Sequence, residues 1–192
     1  MLDLILLQIA KIAILSQFDT SYTLDNEALI KNYPYLGKKG AAFVTLKYDN
    51  DLRGCIGSIV PHQSLLDDIT QNATSAAFRD PRFKSLDISE LSHLSLEVSV
   101  LSEPILLEYE DYADLLQKVR PNVDGLILQH DRYQGTFLPQ VWEQLPTPSL
   151  FLEHLSQKAG ASPSIYNEHP NIFRYEVQHI EEEWDAILPI YR

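Results

Sequence analysis

Hydrophobic and polar residues alternate strictly over residues 94–100, which read Leu-Ser-Leu-Glu-Val-Ser-Val. Successive side chains of a strand point to opposite faces of a sheet, so this pattern predicts a strand with one buried face. Two further β-rich runs, Ala41–Tyr48 and Leu52–Val60, stand on either side of a short polar pair. That pair, Asp49-Asn50, predicts a tight hairpin turn between two strands.

Helical periodicity appears on both sides of this hairpin. The apolar run Leu2–Leu15 predicts a core helix, and it is shorter than the roughly 20 residues that a membrane span requires. A short helix is expected after Asp25. Ser64 is a predicted N-cap for a longer helix with one apolar face, and this helix is expected to end at Asp80-Pro81, because proline disfavours a helical residue before it.

The order hairpin, helix, strand occurs a second time in the C-terminal half. Its predicted elements are a short helix at Tyr112–Val119, strands at Asp124–His130 and Tyr133–Leu138, a helix from Thr147 to Gly160 and a strand at Phe173–Ile180. An internal duplication and two common motifs side by side both account for this order. Because hairpins dominate, we predict an α+β fold with a mainly antiparallel sheet, as one domain over residues 1–192.

Composition places the chain among ordinary globular proteins. Its 192 residues are 45% hydrophobic and 22% charged. A chain of this size buries roughly 70% of its unfolded surface, so neither a disulfide nor a metal is needed to hold it together. A single cysteine and the lack of a basic, signal-like N-terminus predict a cytoplasmic location.

The charge is unevenly distributed. A formal net charge of −12 argues against an indiscriminate nucleic-acid binder. Residues 31–84 carry eight Lys/Arg against five Asp/Glu, whereas residues 87–114 carry eight acids and no Lys or Arg. The basic segment could steer a small anion toward the protein, or it could be an ordinary solvated surface.

The segment Leu52–Gly57, which reads Leu-Arg-Gly-Cys-Ile-Gly, is the candidate functional site. Glycines weaken a strand and usually mark a bulge or a close approach of the backbone. Gly54 and Gly57 therefore predict an irregular strand in which Cys55 is open to a ligand near the main chain.

Counting outward from the two-residue turn pairs Cys55 with Val44 and places Arg53 on the same apolar face. A guanidinium on an apolar face is costly unless it meets a carboxylate or a bound anion. Glu97, on the polar face of the alternating strand, and Asp80 are the two expected partners.

Cys55 has two interpretations. It is either a small buried hydrophobe or a thiolate nucleophile whose pKa is lowered by Arg53. No base is evident for the second interpretation, because the six histidines have no motif spacing: His62, His93, His130, His154, His169 and His179.

A second cluster, Arg79–Phe83, is either a helix terminus or part of an anion site in which Arg82 and Arg53 clamp a carboxylate or phosphate. Glycine-rich phosphate loops, dinucleotide fingerprints, HExxH and GxSxG are all missing from the sequence. No cofactor and no metal ligand are therefore predicted.

These segments resemble the AMMECR-one domain family. The resemblance runs in order from about residue 40 to residue 184, and its motifs lie at residues 52–57, 76–83, 96–102, 123–128, 135–142, 151–152 and 158–160. Residues 1–39 comprise the N-terminal helix and a divergent turn-rich segment. The sequence also departs from the family at Tyr166, where a tryptophan is common.

The resemblance implies two related hairpin–helix–strand halves around one barrel-like, mainly antiparallel sheet. It implies no firmly assigned reaction. Prokaryotic members resemble the first component of the AmmeMemoRadiSam system, which accompanies a Memo-like protein and a radical-SAM enzyme. This chain has one cysteine and cannot itself hold the iron–sulfur cluster of such an enzyme.

The sequence leaves three hypotheses. The first is an accessory or small-anion-binding domain with Arg53, Cys55 and Glu97 at its pocket and further ligand contacts from Gly54, Gly57, Asp80 and Arg82. The second is an enzyme that uses Cys55 as nucleophile or sulfur carrier. The third is a purely structural role for the whole segment.

Overall fold

The computed structural model describes residues 2–188, which divide into two compact units. Unit 1 runs to Leu101 and resumes at Gln178, and unit 2 runs from Ser102 to Val177. The chain therefore leaves unit 1, builds unit 2 and returns. The prediction of one domain over residues 1–192 stays a prediction.

The elements follow one another in a mixed order. They are α1 (Ile5–Leu15), α2 (Asn26–Asn32), β1 (Lys39–Tyr48), β2 (Asp51–Gly57), β3 (Gln63–Ser64), α3 (Leu65–Phe78), β4 (Leu94–Leu101), β5 (Ile105–Leu106), α4 (Tyr112–Lys118), β6 (Gly125–His130), β7 (Tyr133–Phe137), α5 (Pro148–Lys158), β8 (Asn171–Tyr175) and β9 (Val177–Glu183). Short 3₁₀ helices lie at Pro34–Gly37, Ile88–His93, Pro139–Glu143, Pro163–Glu168 and Trp184–Ala186.

The sheet of unit 1 has the strand order β2-β1-β4-β9, with β3 pairing to β1. One face is apolar and packs against α1 and α3, because every second residue of β1 and β4 is hydrophobic. The fully buried members of this face include Ala42, Val44, Leu46, Leu96 and Val98. The core of unit 1 lies between this face and the two helices.

Polar side chains of α3 complete the hydrogen bonding of β1 beyond the end of β2. The carboxylate of Asp68 accepts the N–H of Ala42 at 2.8 Å, and the amide of Asn72 donates to the carbonyl of Ala42 at 3.0 Å. Ser58 also donates to Asp68, at 2.7 Å. Asp68 and Asn72 are buried, and these bonds account for why polar groups are tolerated there.

Unit 2 repeats this architecture with the strand order β5-β8-β6-β7. Its core packs the sheet against α4 and α5, and a stacked pair, Trp142 and Phe151, with ring centroids 3.8 Å apart, fills the centre. Helix α5 has the predicted limits: Thr147 accepts the N–H of Leu150, and Gly160 adopts the left-handed conformation with φ +84°.

The α+β class, the antiparallel pairing and the repeated order of hairpin, helix and strand are confirmed. The single barrel-like sheet is wrong for residues 2–188, which form two separate sheets, neither of them closed. The predicted strand Phe173–Ile180 is also two strands in different sheets. The break falls at Glu176, whose N–H and C=O bond to Ser102 instead of to a ladder.

The first hairpin has the predicted turn, and Asp49 and Asn50 both have positive φ. Beyond the turn, helix α3 approaches β2 so closely that a Cβ built on Gly54 would lie 2.2 Å from the carbonyl oxygen of Ala76. Glycine at this position is therefore a packing requirement.

We expect Gly54→Ala to destabilise the protein by at least about 2 kcal/mol, because a methyl group would force the main chain of α3 away from the sheet. Urea unfolding monitored by circular dichroism measures this loss. Gly37→Ala is the matched control: the nearest atom to its Cβ would be a methyl carbon of the exposed Ile30 side chain, at 3.0 Å. An equal or greater loss in Gly37→Ala would contradict the packing explanation.

Candidate functional site

A bulge at Arg53 sets the geometry of the candidate site. Leu52 pairs with Lys47, whereas Gly54 pairs with Leu46, so Arg53 is an extra residue without a partner on β1. The bulge shifts the register by one position. Cys55 consequently pairs with Thr45, and the predicted pairing of Cys55 with Val44 on the apolar face is wrong.

The Cys55 side chain lies on the sheet face opposite the helices. The hydroxyl of Thr45 donates to its sulfur at 3.2 Å, and the residue is half-buried. Burial raises the pKa of the Cys55 thiol, and the carboxylates of Glu97 and Asp80 add to this, although the Thr45 hydrogen bond and the charge of Arg82 oppose it. The neutral thiol is the favoured form at neutral pH.

The main chain of Cys55 is held by two side chains from the segment that follows α3. Asp80 accepts the Cys55 N–H at 2.9 Å, and Arg82 donates to the Cys55 carbonyl at 3.2 Å. Because β2 is the edge strand of its sheet, these contacts replace the neighbour that a further strand would supply.

Asp80 and Arg82 also bind each other. The Asp80 carboxylate, 1% exposed, accepts from the Arg82 guanidinium at 2.7 and 3.0 Å, whereas the Arg82 side chain is 53% exposed. The hydrogen bonds from Arg82 hold the pKa of Asp80 well below its usual range, with a further contribution from the Cys55 N–H. Asp80 is therefore a permanently charged anchor.

Arg53 has a carboxylate partner that was not predicted. Its guanidinium binds Glu90 through two bonds of 2.7 and 3.1 Å, and neither Glu97 nor Asp80 is its partner. Phe83 lies between two guanidiniums, with its ring 5.9 Å from Arg53 and 5.5 Å from Arg82. The Arg53 side chain is only 13% exposed and is paired with Glu90. Of the two arginines of the predicted clamp, only Arg82 is therefore exposed to solvent.

Glu97 lies in line with Cys55 across three strands. Thr45 pairs with Cys55 on one side and with Glu97 on the other. The Glu97 carboxylate accepts from Lys47 at 3.3 Å and from Ser99 at 2.9 Å. Cys55 and Glu97 therefore lie on one face of the sheet with Thr45 between them, whereas the sequence had placed Cys55 on the apolar face and Glu97 on the polar one.

Gly57 lies on this same face, beneath the ring of Phe43. Gly54 points to the opposite face, toward α3. Both glycines therefore have packing roles, and their predicted contact with a ligand stays a prediction.

Two exposed cations flank Arg82 in the sequence. Arg79 ends α3 and Lys84 follows Phe83, and across residues 2–188 neither forms an ion pair. The cluster that the sequence had singled out, Arg79–Phe83, contains Arg79 and Arg82 but not Lys84.

Sequence reasoning missed Thr45, Glu90 and Lys47. Thr45 and Lys47 could have been found from the alternation of β1, had the bulge been placed, because they share a face with Cys55. For Glu90 there was a local signal only for a capping box: it bonds the N–H of Asp87 three residues earlier.

The histidines lie elsewhere. His93 contacts Asp49, His130 contacts Glu168 and His169 contacts Tyr109, and within the described chain no histidine is hydrogen-bonded to Cys55. Residues 2–188 contain no group of three or more His, Cys, Asp or Glu side chains positioned to hold a metal ion. Among the same residues, no helix combines the length and the hydrophobicity of a membrane-spanning segment.

The family model AMMECR1 (AMMECR-one) matches residues 7–180. The chain is 34% identical over 171 residues to Protein MJ0810 of Methanocaldococcus jannaschii, which covers 84% of this chain and 83% of the relative. It is also 36% identical over 157 residues to Protein MK0488 of Methanopyrus kandleri, with 77% and 74% of the two chains covered.

A solved structure has the same fold. Uncharacterized Protein PH0010 from Pyrococcus horikoshii superposes with a TM-score of 0.78 at 30% sequence identity, covering 93% of this chain and 90% of that one. Both the sequence match and the fold therefore agree, and the chain belongs to the AMMECR1 family.

Proposed function

We propose that this protein is a binding domain for a small anionic metabolite, and that the binding site lies at the edge of β2, where Arg82 is fixed beside Cys55. The observation that carries the proposal is the double attachment of Arg82. It is bound to Asp80 and to the Cys55 carbonyl, yet about half of its side chain is exposed.

Because Arg82 is already held in place, the entropic cost of binding an anion to it is reduced. A long, mobile side chain loses conformational entropy when it grips a ligand, and a guanidinium that is already fixed has lost most of it. The Asp80 partner neutralises part of the charge but occupies only one edge of the guanidinium. The remaining N–H groups suit the oxygens of a carboxylate or phosphate.

The charge around Arg82 supports an anion as the ligand. Arg79 and Lys84 lie within six residues of the chain, and neither has a carboxylate partner in residues 2–188. Three cations against the single carboxylate of Asp80 leave this segment positive in a protein whose formal net charge is −12. A local field of this kind raises the concentration of small anions at the surface.

Cys55 is better suited to contact a ligand than to attack one. A nucleophilic cysteine needs a lowered pKa, whereas burial raises the pKa of this thiol. No histidine of the described chain forms a hydrogen bond with the thiol, whose bonding partner is Thr45. The enzyme hypothesis, in which Cys55 is a nucleophile or sulfur carrier, therefore ranks below the binding hypothesis.

The family resemblance supports a place for this domain beside a Memo-like protein and a radical-SAM enzyme in the cytoplasm. A domain that binds a small anion would serve such proteins as an accessory that holds or delivers their substrate. This partnership rests on the resemblance and not on a contact within the chain.

Arg79→Gln together with Lys84→Gln should weaken anion binding about tenfold, because two exposed cations contribute about 1.4 kcal/mol between them. We would titrate the full chain with inorganic phosphate, pyrophosphate and malonate by isothermal titration calorimetry at low salt. Neither residue holds a carboxylate, so the fold should be unaffected, unlike in variants of Arg53 or Arg82.

The matched control is Arg132→Gln with Lys158→Gln, which removes the same charge from unit 2. It should leave anion binding unchanged. Equal weakening in both double variants would show that the loss of affinity comes from the change in net charge. Wild-type affinity in Arg79→Gln with Lys84→Gln would rule out the proposed site.

Alkylation of Cys55 by iodoacetamide should be much slower at pH 8 than that of a free thiol, and its rate should still be rising at pH 9. The reason is that a raised pKa leaves less thiolate at each pH below it. Mass spectrometry measures the rate directly, since the chain has one cysteine. The protein in 6 M guanidinium chloride is the control, and a native rate that matches it at pH 7 would favour the enzyme hypothesis instead.

A further inference from the structure

The outer edge of β7 in unit 2 carries main-chain groups without a bonding partner in the described residues. β7 is the last strand of its sheet, and its pairing with β6 begins at Tyr133, which lies opposite His130. Antiparallel bonding alternates along a strand, so the residues between the bonded positions turn their N–H and C=O groups outward. In β7 these residues are Gln134 and Thr136.

The corresponding edge of unit 1 is bonded at its centre. β2 occupies the same place in the order of hairpin, helix and strand, and one of its outward residues, Cys55, is bonded by Asp80 and Arg82. Across residues 2–188, no such bond reaches the outward main-chain groups of Gln134 or Thr136. Unpaired edges of this kind are templates for another strand, and proteins usually protect them.

A cation lies over an aromatic ring at each end of β7. The guanidinium of Arg132 is 5.0 Å from the ring of Tyr133, and the ammonium of Lys158 is 4.9 Å from the ring of Phe137. Both cations are exposed, and neither forms an ion pair in the described part of the chain. The neighbouring acid, Asp131, is 4.0 Å from a histidine instead.

The two rings are four residues apart in the strand, or about 13 Å at 3.3 Å per residue. In an extended chain laid along β7, two side chains four residues apart would have the same separation and would point to the same face. Carboxylates at those two positions would meet the two cations. The spacing of the two cations therefore specifies where acidic residues would stand in the bound strand, as well as its extended conformation.

We propose that β7 binds an extended acidic segment of a partner protein, which adds to the sheet of unit 2 as its next strand. Main-chain bonds to Gln134 and Thr136 supply affinity that does not depend on sequence. Ion pairs with Arg132 and Lys158 select a segment with two acidic residues four positions apart. This site lies wholly in unit 2 and does not depend on the small-anion site.

The probe is a ten-residue peptide of alternating valine and threonine with two glutamates four positions apart, acetylated and amidated at its ends. Its comparison peptide carries glutamine at both positions. We expect the full chain to bind the glutamate peptide at least fivefold more tightly, since two exposed ion pairs contribute about 1 kcal/mol. Fluorescence anisotropy of labelled peptides measures both affinities.

Gln134→Pro should weaken binding of both peptides more than tenfold, because it removes an outward N–H without removing a bond to β6. Gln134→Thr keeps the N–H and should bind like the wild type. Arg132→Gln with Lys158→Gln should abolish the preference for the glutamate peptide, and Arg79→Gln with Lys84→Gln should retain it. The charge variants decide the question even if Gln134→Pro fails to fold.

Three results would overturn the proposal. One is equal affinity of the wild type for the two peptides, or no binding of either at millimolar concentration. Another is slow hydrogen exchange of the Gln134 and Thr136 amides in the free monomer. The third is a dimer in sedimentation that Gln134→Pro dissociates, since this would assign the edge to a second copy of the chain.

Discussion

The carboxylate of Asp80 is the group on which the arrangement around Cys55 depends. It is almost fully buried, and it accepts hydrogen bonds from the Cys55 main chain and from Arg82. A buried charge is tolerated only when its partners are in place, so the position of each partner is constrained by the others. The proline after Asp80 ends α3 at the point from which the chain can return along β2. The charge of Asp80 therefore links the end of α3, the edge of β2 and the exposed guanidinium of Arg82.

A second constraint, close contact between a helix and the sheet behind it, is common to both units. In unit 1 it is met by Gly54 against Ala76, and in unit 2 by Gly135 against Ala159. The two units differ in the segment that leaves this helix. After α3 the chain returns polar groups to the strand edge, whereas after α5 it turns at Gly160 without bonding the edge of β7. The same architecture therefore has an edge strand that side chains bond at Cys55 in unit 1, and an edge strand without such bonds among the described residues in unit 2.

Local patterns in the sequence were sufficient for most of the fold. The alternation in β4, the turn at Asp49-Asn50 and the caps at Ser64 and Thr147 each depend on a few adjacent residues, and each is confirmed. The register of β2 was not accessible, because Gly54 and Gly57 indicate an irregular strand without specifying which residue is the extra one, and in the structure that residue is Arg53. The separation of β8 from β9 depends likewise on Ser102, which is distant in sequence.

The bulge also changes what the candidate site can do. In a regular hairpin, Cys55 would lie on the apolar face among the core side chains, and it would have no access to a ligand. The extra residue moves it to the opposite face, between Thr45 and the exposed edge, and directs Arg53 toward Glu90. At this position burial is the main cause of the raised pKa of the Cys55 thiol, and the charge of Glu97, two strands away, adds to it. A single inserted residue therefore sets the sheet face on which Cys55 lies, and its half-buried position on that face raises the pKa of its thiol.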